Sequence, residues 1–237
     1  MIEPKPVSEV WRPELVRLPR LTLARRAFRA FSHGLIKLVA KTCLNLKVEG
    51  LGNIPKRGPL LIVINHLGDA DAVAILSILP QPPDALGKIE LYDYGLLGRL
   101  MDLYGMIWLH RGRPDKRALR AALDGLAEDR VIVIAPEGRE SLTGALEEGR
   151  GGAAFLALKS GASILPIALA GTENEKVYSR LKHLRRVAVN LRVGEPFKLT
   201  GRDEARRKAL DEGTRLIMQA LAELLPEEYR GAYISPE

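Results

Sequence analysis

From about residue 48 onward, short apolar runs alternate with longer segments of helical period, and this alternation is the dominant pattern of the chain. LLIVIN (60–65), KIELY (88–92), MIWLH (106–110), VIVIA (131–135), SILPIAL (163–169) and VAVNLRV (187–193) read as strands, being short, apolar and rich in β-branched residues. Between them, residues 70–79, 95–104, 115–129 and 151–160 read as helices. Such alternation implies an α/β fold, a mostly parallel sheet flanked by helices. A closing helix follows, with Thr200 placed to cap it, Asp203 three residues later, and apolar positions at helical spacing as far as Leu225.

Ahead of this body, residues 14–46 read as helix, broken or started by Pro19. Ala24, Phe28, Phe31, Leu35, Leu38 and Thr42 recur at steps of three and four, and Arg25, Arg29, His33, Lys37 and Lys41 at steps of four. An apolar face beside a basic stripe suits a helix lying in a membrane interface. It also suits an amphipathic helix packed on its own domain with its cations left in water. The expected organisation is an N-terminal basic amphipathic helical segment over 1–47 and a single domain over 48–237.

Charge sharpens that division. Residues 1–58 carry 12 Lys and Arg against 4 Asp and Glu, a net +8, while the remainder nets −1. An arm of this kind is expected to meet an anionic surface while the body stays neutral. Hydrophobic residues at 46% and charged ones at 27% are ordinary for a globular protein and argue against disorder. The single cysteine, Cys43, can form no internal disulfide, and no Cys/His cluster has zinc-binding spacing, so a reducing cytosolic environment is expected. Charges throughout residues 1–20 argue against a secretory signal, and no uncharged window approaches the ~18 apolar residues of a membrane span. The basic arm lacks interleaved aromatics for base stacking, so no nucleic-acid partner is expected.

Ligand-binding residues of open α/β sheets lie just past the carboxyl ends of strands. Polar clusters stand there three times: Asn65, His66, Asp69 and Asp71; His110, Arg111 and Arg113; and Pro136, Glu137, Gly138, Arg139 and Glu140. Residues five apart on a continuous helix are separated by about 140°, so His66 and Asp71 meet only if His66 stands in the turn and Asp71 in the first helical turn. Gly68 gives that turn its freedom. A carboxylate on one ring nitrogen would fix the tautomer and leave the other nitrogen free to take a proton. The same residues also fit a plainer arrangement, in which Asp69 caps the helix, Asp71 complements its dipole and His66 is an ordinary loop histidine. No G-x-S-x-G elbow occurs and Cys43 falls in the basic helix, which leaves the nucleophile to the substrate, an alcohol being the obvious candidate. Arg111 and Arg139 are either anion ligands or surface charges.

The order of these blocks resembles the glycerolipid acyltransferase family typified by 1-acylglycerol-3-phosphate acyltransferases. The family's N-H-x-x-x-x-D block is similar to Asn65, His66, LGDA and Asp71; its glycine, apolar strand and arginine to GMIWLHR, with Gly105 and Arg111; its F-P-E-G-T-R to APEGRES; and its proline within an apolar strand to ILPIALAGT, with Pro166. The third block departs from the pattern, with Ala135 for phenylalanine and no threonine, so that Arg139 directly follows Gly138. The resemblance implies that His66 acts as general base on the hydroxyl of a lysophospholipid, most readily 1-acylglycerol-3-phosphate, which attacks the thioester of acyl-CoA or acyl-carrier protein to give phosphatidate. It implies that Asp71 supports the imidazole, that Arg111, Glu137, Gly138 and Arg139 bind the acceptor, and that Pro166 shapes a pocket. No metal or redox cofactor is implied, and membrane phospholipids become the partner of the basic segment at the cytoplasmic face. Two alternatives stay open, another lyso-lipid acceptor and a non-catalytic lipid-binding protein on the same fold.

Overall fold

The computed structural model of the chain describes residues 7–56, 58–112, 114–200 and 206–234. Its centre is LLIVI, strand β2 (Leu60–Ile64), in which every residue is buried. Leu61 and Val63 point to one side and Leu60, Ile62 and Ile64 to the other, each side meeting its own apolar cluster. A strand covered on both faces has no solvent side to spend polar residues on, hence the unbroken apolar run. The other strands are β1 (Leu44–Glu49), β3 (Asp84–Lys88), β4 (Ile107–Leu109), β5 (Val131–Ile134), β6 (Ser163–Ala170) and β7 (Val187–Val193), arranged in the order β1-β7-β6-β2-β5-β3-β4. Strands β6, β2, β5, β3 and β4 are mutually parallel. Strand β7 runs antiparallel to β6 and pairs in parallel with β1. The residues that follow β2, β5, β3 and β4 therefore gather at one edge of the sheet.

The helices are α1 (Leu23–Cys43), α2 (Ala70–Ile78), α3 (Gly95–Tyr104), α4 (Lys116–Ala127), α5 (Gly152–Ser160), α6 (Asn174–Lys182) and α7 (Arg206–Leu224). Ala118, Ala122, Ala154, Met218 and Leu221 of α4, α5 and α7 cover the Leu61 side, and Ala40, Ala74, Ile75 and Val177 of α1, α2 and α6 cover the other. The small alanines let these helices lie close against the strands. The architecture is the α/β sandwich expected from the alternating pattern, and four of the helices between strands fall within about two residues of their expected bounds.

Three expectations need correction. The N-terminal helix begins after Thr22, whose hydroxyl accepts the Arg25 N–H, and it stops at Cys43. LNLKVE, whose first three residues fall in the expected helix, is strand β1, so the expected boundary between residues 47 and 48 falls inside a strand. Its alternation of leucine and valine with polar residues has period two, a signal overridden by the strong helical rows before it. KIELY is not a strand: β3 ends at Lys88, and residues 89–93 form a 3-10 turn. The strand's start was hidden by Asp84, which is fully buried between Arg29 and Arg130. Asp203 and Arg113 lie outside the described residues, and α7 is described from Arg206 onward.

The third correction concerns the basic stripe. Arg29 and His33 face inward: the Arg29 guanidinium pairs with Asp84, donates to the Pro82 carbonyl at 2.6 Å and lies over the Tyr104 ring, and His33 Nε2 contacts the Leu76 carbonyl at 2.8 Å. Arg25 reaches the carbonyls of Leu103 and Asp102 on α3. The outward face carries the apolar row instead, with Leu23 87% and Phe31 67% exposed, followed by Leu35 and Leu38. Leu96, Leu97, Leu100 and Leu103 of α3 are also exposed. Arginines that could have been solvated are used as glue, and leucines that could have been buried are left outside.

Candidate active site

At the end of β2 the chain leaves the sheet through Asn65, which is 2% exposed. Its side-chain amide donates to the Leu169 carbonyl at 2.9 Å and accepts from the Leu169 N–H at 2.8 Å, pairing with β6 as a peptide group would. That pair fixes where the turn begins. His66 follows, and its Nδ1 lies 2.7 Å from Asp71 Oδ2. Asp71, the second residue of α2, is 1% exposed, and the same oxygen accepts the N–H groups of Leu67 at 2.7 Å and Gly68 at 3.1 Å. One carboxylate thus closes the turn and orients the ring. Because an ionised carboxylate only accepts, the hydrogen belongs on Nδ1 and the lone pair on Nε2. The His66 side chain is 31% exposed, which leaves that lone pair reachable. Gly68 is required by close approach: a Cβ there would lie 2.5 Å from Asn174 Oδ1 and 2.7 Å from the Thr172 carbonyl.

Asp69 does not take the capping role it has in the plainer arrangement. It stands at the N-cap position with a helical backbone, makes no capping bond and accepts the Tyr178 hydroxyl instead. Asp71 has taken over the turn's N–H groups.

The loop after β5 holds the His66 backbone from both sides. Glu137 Oε1 accepts the His66 N–H at 3.0 Å, and the Ser141 N–H donates to the His66 carbonyl at 2.7 Å. Glu137 is fully buried, and its second oxygen accepts the Glu147 N–H at 2.7 Å. Its carboxyl therefore staples two loops beneath the site. Burial pushes Glu137 up to about 7, against the Glu147 and His66 N–H bonds that favour its ionised form. Gly138 has φ +74°, a left-handed conformation that favours glycine, and Arg150 packs against it. Arg139 turns inward onto Glu147, with Nε to Oε2 at 2.9 Å and Nη2 to Oε1 at 3.2 Å. Glu140 faces the site: its Oε1 is 3.9 Å from His66 Nε2, and its Oε2 accepts from Asn174 Nδ2 at 3.0 Å. Aligned without a gap, APEGRE puts Glu140, not Arg139, in the arginine's place of F-P-E-G-T-R.

These charges set the basicity of His66. Burial lowers its pKa, but the hydrogen bond and charge of Asp71, with Glu140 and Glu137 behind, outweigh it and hold the imidazole above 6.5. A half-exposed histidine of raised basicity, oriented by a buried carboxylate, can take a proton from a hydroxyl and return it to a leaving group.

Arg111 lies on the same sheet edge but after β4, three strands from β2, about 14 Å away at ~4.8 Å per strand. An N-terminal arm holds its backbone: Ser8 Oγ accepts the Arg111 N–H at 2.7 Å, and the Ser8 N–H donates to the Arg111 carbonyl at 3.1 Å. Its Nε is 3.8 Å from Glu90 Oε2. Beside it, His110 and Asp115 repeat the five-residue spacing of His66 and Asp71, with Nδ1 and Oδ2 2.9 Å apart. Here the other nitrogen accepts the Arg12 N–H at 3.0 Å, so no lone pair is left for a substrate. Pro166 sits in the middle of β6 in register with Val63, inside the sheet and short of its edge.

The structure thus brings His66, Asp71, Glu137 and Gly138 into one turn-and-loop unit. It ties Arg139 to Glu147, sets Arg111 across the edge and keeps Pro166 in the sheet. Glu140, Arg150 and Asn174 had no role assigned from sequence; the departure of APEGRES from the usual block was the available signal for Glu140. Among the described residues no group of three or more His, Cys, Asp or Glu side chains is placed to hold a metal ion.

The family model described as Acyltransferase matches residues 45–170, more than half the chain. The 1-acyl-sn-glycerol-3-phosphate acyltransferase of Borreliella burgdorferi is 31% identical over 134 residues, 55% of this chain and 53% of that protein. The chloroplastic enzyme LPAT1 of Arabidopsis thaliana is 29% identical over 151 residues, 61% of this chain and 42% of that protein. The chain spans about half the length of the curated relatives it matches. The crystal structure of the LPA acyltransferase PlsC from Thermotoga maritima superposes with a TM-score of 0.61 at 22% identity, covering 86% of this chain and 84% of that one, so the fold is shared. The matched segment runs from β1 through the end of β6 and contains His66, Asp71, Arg111 and the whole Glu137 loop, and the chain belongs to the acyltransferase family.

Proposed function

We propose that this protein transfers a fatty acyl group from the thioester of acyl-CoA or acyl-carrier protein to the free hydroxyl of a lysophospholipid, 1-acylglycerol-3-phosphate being the acceptor in its relatives' names. The observation that carries this reading is the His66–Asp71 pair, with Nδ1 held at 2.7 Å and Nε2 facing outward. The acceptor hydroxyl gives its proton to His66 Nε2 as its oxygen attacks the thioester carbonyl carbon. Collapse of the tetrahedral intermediate breaks the carbon–sulfur bond, and the imidazolium returns the proton to the departing thiolate. The products are an ester and a free thiol, with no acyl-enzyme. Asp71 stabilises the imidazolium, Glu137 holds the His66 backbone in place, and Arg111 serves acceptor binding from across the sheet edge.

Both substrates bring apolar chains, and the exposed leucines of α1 and α3 offer a face to insert among lipids. Among the described residues no helix is long and apolar enough to cross a membrane. Attachment is therefore proposed as interfacial, on the cytoplasmic face, through these leucines with Lys37 and Lys41 exposed beside them. Purified protein incubated with acyl-CoA or acyl-carrier protein and a mixed lysophospholipid pool should yield diacyl products detectable by mass spectrometry. Liposome binding with no acylation of any acceptor would support the lipid-binding alternative instead.

A further inference from the structure

The carboxylate nearest the reacting edge of His66 is not part of the proton-transfer pair. Glu140 Oε1 is 3.9 Å from Nε2, and its other oxygen is anchored by Asn174, whose Oδ1 also accepts the Asp69 N–H at 2.9 Å. Glu140 is thus tied to the turn that carries His66. An acceptor hydroxyl able to give its proton to Nε2 lies about 3 Å from it, within a few ångströms of Glu140. The carbon next to that hydroxyl bears the phosphate in any 1-acylglycerol-3-phosphate derivative, which puts the headgroup within reach of Glu140.

Arg139, the neighbouring cation, is neutralised by Glu147, so the Glu140 carboxylate is the charge that faces Nε2. From this placement we infer that Glu140 selects a zwitterionic acceptor: a lysophospholipid whose headgroup ammonium meets Glu140, in preference to a phosphomonoester. The inference rests on the acyl-transfer reading and specifies its substrate. At a partly exposed position, attraction of an ammonium by this carboxylate and repulsion of a doubly charged phosphomonoester make the discrimination about tenfold.

The test compares kcat/KM of the purified full chain for 1-acylglycerol-3-phosphate and 1-acylglycero-3-phosphoethanolamine of the same acyl chain, in mixed micelles with acyl-CoA and with acyl-carrier protein. Wild type favours the phosphoethanolamine about tenfold. Glu140→Gln, which keeps the bond from Asn174, brings the ratio close to one with an unchanged melting temperature, and Glu140→Arg reverses it. A wild-type preference for the phosphomonoester, or a ratio unmoved by Glu140→Gln, would overturn the inference while leaving acyl transfer standing. Acylation of neither acceptor would overturn the acyl-transfer reading, and this inference with it.

Discussion

Replacing Asp71 by asparagine separates its electrostatic part from its structural one. Three donors converge on Oδ2, namely His66 Nδ1 and the N–H groups of Leu67 and Gly68, while Oδ1 is buried with no partner. The amide should therefore keep its oxygen at Oδ2 and place its NH2 at Oδ1, where a buried unpaired donor costs about 1–3 kcal/mol of stability. At ~2–4 °C per kcal/mol for a chain of this size, the melting temperature should fall a few degrees. The catalytic loss is larger. In the transition state the imidazole becomes a cation about 4 Å from where the carboxylate charge lay, an interaction of about 4 kcal/mol at an effective dielectric of 20. That corresponds to about a thousandfold in kcat, with KM for the acceptor little changed. Removing the Asp71 charge, and leaving only a neutral acceptor for Nδ1, weakens the influences that raise His66, so the acid limb of the pH–rate profile should move to lower pH. Release of free thiol from acyl-CoA, followed across pH for both proteins, reads all three quantities. A folded Asp71→Asn protein within tenfold of wild-type kcat, with its acid limb unmoved, would refute the reasoning.

Other consequences follow from the same geometry. Glu137, at about 7 against an ordinary 4.5, binds its proton more tightly when folded, so its share of stability is present below 4.5 and lost as pH rises through 7, roughly 3 kcal/mol in all; melting curves from pH 4.5 to 8 should show the slope, and Glu137→Gln should flatten it. His66, also raised, acts in the same direction and leaves a smaller residual slope. Asn65→Ala leaves the Leu169 N–H and carbonyl unpaired in the core and should cost ~2–4 kcal/mol in urea denaturation. Phe31→Glu combined with Leu97→Glu alters only exposed positions, so stability should change by less than about 1 kcal/mol while cosedimentation with anionic liposomes is lost.

The sheet was legible because buried parallel strands must be apolar runs and the helices between them keep their period. It was misread where a buried charge pair replaced apolar residues. Asp84 opens β3 inside the protein and looks like a loop residue until Arg29 and Arg130 are seen beside it. For the same reason Arg29 and His33 looked like a solvated stripe: periodicity identifies two faces of a helix and is silent about which one the domain takes. At the site, spacing could place His66 against Asp71, but it placed His110 against Asp115 equally well. What separates the two pairs is the partner of the second ring nitrogen, a backbone N–H from Arg12, nearly a hundred residues away in sequence. Glu140 was visible as a departure from a family pattern, yet its meaning depends on Asn174, which belongs to a helix the pattern did not announce.

The central claim is that His66 Nε2 receives the acceptor's proton, and the most direct measurement is thioester-dependent acylation of a lysophospholipid by purified His66→Ala beside wild type. The account predicts turnover by wild type and a loss of roughly 10²- to 10⁴-fold in the variant, with the melting temperature nearly kept because the His66 side chain is partly exposed. A loss of only a few-fold in a folded variant would contradict it.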